Sequence, residues 1–126
     1  MGAGERRGER RARAEREGRR AELLAAWYMR LQGWSVLEKR MKTARGEIDL
    51  VLRRGHTLCL LEVKWRAQEQ DRDTAIDGWR LRRVADAAPL AAARHARPGD
   101  SVRIDVLLLS PGCWPRHLVN AWMPCD

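Results

Sequence analysis

Two apolar runs, Glu47-Ile48-Asp49-Leu50-Val51-Leu52-Arg53 and Thr57-Leu58-Cys59-Leu60-Leu61-Glu62-Val63-Lys64-Trp65, are separated only by Arg54-Gly55-His56. Strand-forming runs around a short glycine turn specify a β-hairpin, and a hairpin this apolar commits the chain to a covered sheet. If Gly55-His56 is a two-residue loop with Gly at the first central position, Arg54 pairs with Thr57 and Asp49 falls directly opposite Glu62. The same register sets Glu47 against Lys64. Glu62 and Lys64 are two residues apart, so their side chains leave one face of the strand. A loop one residue longer or shorter would send Asp49 to the other face.

Asp49, Glu62 and Lys64 are conspicuous because charges flanked by Ile, Leu and Val are costly to desolvate unless they are paired or bound to metal. Two carboxylates one strand spacing apart suit a hard divalent cation that keeps part of its water shell, which makes Mg²⁺ the natural choice, with Mn²⁺ as its substitute. Such an ion polarises a phosphoryl oxygen and acidifies a bound water, and a nearby Lys stabilises developing negative charge. Asp49 and Glu62 are therefore the candidate ligands and Lys64 the candidate catalytic cation. A partly buried salt-bridge network in a structural sheet would satisfy the same charges.

The rest of the chain supplies covering elements. Leu24, Trp27, Tyr28 and Leu31 repeat at helical spacing, which predicts a helix over 21–31 packed on the sheet and ended by Gln32-Gly33. A first strand is expected over 34–40 and a polar link over 41–46. A polar stretch over 66–74 precedes a helix over 75–94 with Ile76, Leu81, Val84, Ala85 and Ala88 buried and Pro89 kinking or dividing it. Arg97-Pro98-Gly99-Asp100 is a turn, 102–109 a strongly apolar strand, 110–116 a loop and 117–122 a last short strand. The order is helix, three strands, helix, two strands. It makes one domain over 21–126 preceded by an Arg-rich extension over 1–20, flexible or helical. Trp27, Trp34 and Trp122 lie in apolar runs and are expected in the core, His56 is a turn residue, and His95 and His117 have no sequence neighbours that would make them catalytic.

Charge points to the partner. The chain carries 25 basic and 17 acidic residues, a formal net charge of +8. Such an excess favours a polyanion, nucleic acid first, although the predominance of Arg also fits coding bias. Half of the excess lies in residues 1–20, which hold eight Arg and four Glu. Lys39, Arg40, Lys42 and Arg45, with Arg80, Arg82 and Arg83, are candidate phosphate contacts, the alternative being a solvated helix face and loop. With 33% charged residues and no long apolar run near the N-terminus, neither a membrane span nor a signal segment is expected, and the cytoplasm is the expected location. Cys59, Cys113 and Cys125 form neither a disulfide framework nor a C-x-x-C pair, and Cys113, His117 and Cys125 match no common zinc spacing. No small-molecule cofactor is implied.

The stretch Gly46-Glu47-Ile48-Asp49-Leu50, a hairpin, and then Leu61-Glu62-Val63-Lys64 resembles the D…E-x-K core of P-D-(D/E)-x-K nucleases, including archaeal Holliday junction resolvases. More closely, the chain resembles the YraN family of uncharacterised bacterial proteins. Gly18 and Glu22 match that family's G-x-x-x-E motif, Gly46 to Leu50 its G-E-I-D-L and Glu62 to Lys64 its E-V-K. Arg80-Leu81-Arg82-Arg83, Arg103-Ile104-Asp105-Val106 and His117 to Trp122 extend the likeness, which runs from Gly18 to Trp122. Trp65 and Val119 depart from it. The resemblance implies an α/β fold: a restriction-endonuclease-like αβββαβ core, with a mixed central sheet flanked by helices. It also implies that Glu22 adds an acid to the metal site. The resulting expectation is an Mg²⁺-dependent endonuclease on DNA, branched or otherwise structured. The alternative is a catalytically inactive nucleic-acid-binding module in repair or recombination. Two cuts by so short a chain imply a homodimer, with strands around Asp105 and Asn120 as candidate exposed edges.

Overall fold

The computed structural model describes residues 3–66 and 78–122. Along the chain lie α1 (Ala3–Leu31), β1 (Ser35–Lys42), β2 (Glu47–Arg54), β3 (Thr57–Trp65), α2 (Gly78–His95), β4 (Ser101–Leu109) and β5 (Arg116–Leu118). The strands form one five-stranded sheet in the order β1-β2-β3-β4-β5. Pairing is antiparallel except between β3 and β4, which run parallel. A parallel neighbour requires a crossover, and α2 lies in it. This mixed sheet between two helices is consistent with a restriction-endonuclease-like core.

The hairpin has the expected register: Arg54 pairs with Thr57, and the ladder continues to Leu50 opposite Leu61. Gly55 in the turn has φ of 60°, as a tight loop with Gly first requires. The last strand is shorter than expected. It ends at Leu118, and Asn120, with φ of 56°, turns the chain instead of extending it. The exposed edges are β1 and β5, so Asp105 in the interior strand β4 is a fully buried residue and not an edge position.

Each face of the sheet is closed by one helix. On one face, Ala21, Ala25, Ala26 and Met29 of α1 pack against Leu50, Leu52, Cys59, Leu61 and Leu107. This corrects the expected helix face. Leu24, Trp27 and Leu31 are 55%, 66% and 73% exposed, and of that set only Tyr28 packs against the core. The small side chains win the contact because alanines let a helix lie close to a sheet without displacing strand residues, leaving the larger apolar stripe outside. Trp34 is buried as expected. It follows Gly33, whose φ of 92° and N–H bond to Arg30, with Trp34 N–H bonding Met29, end α1 in a Schellman turn.

On the other face, Leu81, Val84, Ala87 and Ala91 of α2 cover Ile48, Val51, Leu58 and Leu60, with Ala85, Ala88 and Trp122 at the margin. Pro89 does not divide α2: the helix is continuous, with Pro89 on its exposed side and buried contacts before and after it. The expected positions 67–77, which include Ile76 and the start of the second helix, lie outside the described residues, as do the Arg80 side chain and Cys125.

The β1–β2 turn is pinned to α2. Thr43 accepts N–H bonds from Arg45 and Gly46 through its hydroxyl and donates to the Gly46 carbonyl. This presents the Gly46 α-carbon to α2 so closely that an added Cβ would stand 2.0 Å from the Arg83 carbonyl oxygen. The opposing Arg83 atoms are all backbone and cannot rotate away. Gly46→Ala is therefore expected to destabilise the protein by about 1–3 kcal/mol by overpacking, read as a lowered midpoint in chemical denaturation.

Candidate active site

The site forms where the sheet loses its regularity. In the β1–β2 ladder, Lys39 pairs with Leu50 and Met41 with Ile48, which sets Arg40 and Asp49 across from each other. Arg40 has φ of 51°, a left-handed conformation rare in a strand. The irregularity resets the alternation of β2: Ile48 and Val51 both face α2, whereas Leu50 and Leu52 face α1. Asp49 sits at this seam. Its Oδ2 accepts the Val63 N–H at 2.7 Å, so a side-chain carboxylate holds β3 just past the last paired residues of the hairpin, Leu50 and Leu61.

Asp49 lines two cavities. The smaller, of about 70 Å³, is lined by Glu47, Asp49, Glu62 and Arg83. The larger, of about 390 Å³, is lined by Glu22, Asp49, Val63, Lys64 and neighbours from α1. Asp49 and Glu62 thus meet as the hairpin register implies. Glu47 meets them too, although the β2–β3 ladder ends at Leu50–Leu61 and does not extend to the expected pairing of Glu47 with Lys64. Glu62 and Lys64 are 5% and 4% exposed, so both charges are withdrawn from bulk water.

Asp49 and Glu62, which line one cavity, are the carboxylates that could hold a hard cation. Among the described residues no three His, Cys, Asp or Glu side chains are gathered as a ready-made cage. Mg²⁺ commonly uses one or two carboxylates and retains waters, and the small cavity has room for several. Glu22 lines the neighbouring cavity, but its Oε2 accepts a hydrogen bond from Arg40 Nε. The left-handed turn at Arg40 and this ion pair together link α1 to the edge strand beside Asp49.

The basic residues divide into two groups. Lys39, Lys42, Arg45 and Arg82 are exposed, and Arg40 and Lys42 line a groove with Arg19 and Glu22. Arg83, grouped with them by sequence, instead enters the acidic cavity, carried there by the turn of α2 that Gly46 contacts.

The model of the uncharacterised protein family UPF0102 matches residues 21–109. The chain belongs to that family. A UPF0102 protein of Sphingopyxis alaskensis is 56% identical over 114 residues, covering 90% of this chain and 98% of the relative. One from Erythrobacter litoralis is 53% identical over 111 residues, covering 88% and 96%, and one from Rhizorhabdus wittichii is 51% identical over 113 residues, covering 90% and 96%. The motif-level resemblance to the YraN family, which is UPF0102, is thereby confirmed. No helix among the described residues of this UPF0102 chain is long and apolar enough to cross a membrane.

A second charged cluster escaped the sequence reading. Asp105, 0% exposed, accepts hydrogen bonds from His117 Nε2 at 2.7 Å, the Asn120 N–H at 2.9 Å and Arg103 Nε at 3.2 Å. His95 likewise meets Glu38, through Nε2 at 2.7 Å. Both histidines, without an adjacent carboxylate in sequence, acquire carboxylate partners through folding. Only Asp105 at an interior position of an apolar strand could have signalled its cluster. The cluster ties β5 and the following turn to β4. Burial raises the Cys59 thiol, and the nearby Asp105 charge raises it further, so the thiol stays protonated.

Burial pushes the Asp105 carboxyl up, but the His117 bond, the Asn120 N–H and the Arg103 charge outweigh it and hold the carboxyl below its ordinary value of 3.8. A carboxyl lowered by folding contributes stability that is complete above its unfolded value and is lost as the pH falls below it. Asp105→Asn is expected to lower stability at neutral pH and to flatten its loss in acid. Denaturation midpoints followed from neutral to acid pH check both.

Proposed function

We propose that this protein is a divalent-metal-dependent endonuclease that hydrolyses phosphodiester bonds in DNA. The observation that carries the reading is the convergence of Asp49, Glu62 and Arg83 on one small cavity, with buried Lys64 on the same strand as Glu62. A buried salt-bridge network alone needs no cavity. The exposed cations of β1 and its turn lie beside the site and suit a phosphate backbone. The resemblance to P-D-(D/E)-x-K nucleases supports the same chemistry.

In this reading Asp49 and Glu62 would hold Mg²⁺, and Glu47 lines the same cavity. The ion supplies charge neutralisation at the phosphoryl group and an acidified water. Asp49 is oriented by the Val63 N–H, so one of its oxygens is committed to the backbone and its plane is set before substrate arrives. Lys64, held in a desolvated position, stabilises charge developing on the phosphate more strongly than an exposed lysine would. Arg83 is the second cation for that phosphate. Glu22 is ion-paired with Arg40 of the edge strand and lines the cavity that Asp49 and Lys64 share, where it would add an acid to the metal site as the resemblance implies.

That ion pair also favours a second reading, a nucleic-acid-binding module without turnover, because it occupies the acid that the resemblance assigns to the metal. Purified protein incubated with linear, flapped and four-way DNA and either Mg²⁺ or Mn²⁺ distinguishes the two. Cleavage is expected, with a loss of at least ~100-fold for Asp49→Ala, Glu62→Ala and Lys64→Met. Retained cleavage in Asp49→Ala and Glu62→Ala would refute the site. Salt-sensitive binding with no cleavage under either metal would leave the binding module as the function.

A further inference from the structure

The apolar stripe that α1 turns away from its own sheet consists of Leu23, Leu24, Trp27 and Leu31, each more than half exposed. Residues 23, 27 and 31 are spaced four apart, which lines them along one ridge of the helix. A tryptophan and three leucines so exposed amount to on the order of 500 Å² of contiguous apolar surface, at the upper end of what a monomer tolerates. Outside the described residues the chain holds few large apolar side chains, Met1, Ile76 and Met123.

We propose that this ridge is a two-fold interface on which α1 packs antiparallel against α1 of a second copy. The pattern Leu23-x-x-x-Trp27-x-x-x-Leu31 reads identically in both directions about Trp27. An isologous contact demands this self-complementarity: Trp27 meets its equivalent on the axis, and Leu23 of one copy meets Leu31 of the other. Two such faces bury roughly 1,000 Å², the threshold of a specific interface, with aromatic residues at the centre where they contribute most.

Charge selects the antiparallel arrangement. Residues 1–20 carry eight Arg and four Glu, so parallel helices would align two strongly basic segments. Antiparallel helices send them in opposite directions. Each copy's Arg19 and Arg20 then approach the C-terminal end of its partner's α1, where the helix dipole is negative. The sheet-facing side of α1 keeps Ala21 and Glu22, so the interface leaves the candidate active site uncovered. The inference does not depend on the hydrolase reading.

Sedimentation equilibrium of the full chain, freed of nucleic acid by nuclease digestion and run at high salt, tests it. A dimer with a dissociation constant of about micromolar is expected, insensitive to salt. Trp27→Glu, at an exposed position, should weaken it by at least ~100-fold while leaving the unfolding midpoint of the monomer unchanged. Leu31→Glu should weaken it as well, and adding Leu23→Lys to Leu31→Glu should recover part of the loss, since the two new charges face each other across the axis. A wild-type chain monomeric at ~100 µM would overturn the proposal. So would a dimer indifferent to Trp27→Glu, and a double variant no tighter than Leu31→Glu alone would overturn the antiparallel register.

Discussion

The hydrogen bond from the Val63 N–H to Asp49 Oδ2 governs the centre of this molecule. Where regular pairing of β2 with β3 stops, the strand must find another acceptor or bury an unsatisfied amide, and the carboxylate provides one. That single substitution of side chain for backbone lets β2 reset its alternation. Ile48 stays with the α2 core while Leu50 and Leu52 pack under α1. It also leaves Asp49 lining two neighbouring cavities. Opposite it, Arg40 absorbs the distortion in a left-handed conformation that costs on the order of 1–3 kcal/mol. The Arg40–Glu22 ion pair and packing on both sheet faces hold it there.

Much of this was legible in the sequence because it is local. The hairpin register followed from Gly55-His56, since turn length determines pairing, and the end of α1 followed from Gly33. The register brought Asp49 near Glu62, although the ladder itself ends one pair short of them. What could not be read was long-range. Nothing near Gly46 in sequence indicates that its α-carbon lies against the Arg83 carbonyl. Arg83 consequently looked like one more surface cation, although the same contact carries it into the acidic cavity. The carboxylate partners of His95 and His117 are far away in sequence and adjacent in space.

The misreading of α1 has a different origin. Helical periodicity reports that a stripe is apolar, not which stripe meets the sheet. Here two stripes compete, one of Ala21, Ala25, Ala26 and Met29 and one of Leu and Trp, and hydrophobicity alone ranks the second higher. Packing reverses the order, because the strands beneath already fill the layer with Leu50, Leu52 and Leu61. Large residues on both surfaces would hold the helix off the sheet and open voids between them.

The alanine seam thus acts as a spacer of minimal thickness, and its thinness links events on opposite sides of α1. With almost no deformable side chain between helix backbone and strands, any added volume at Ala25 or Ala26 must move the helix as a rigid rod. Glu22 would then shift against Arg40 on one flank while Leu23, Trp27 and Leu31 shift on the other. Position 25, remote from both cation and carboxylate, therefore behaves as a mechanical adjustment shared by the edge strand and the outer surface.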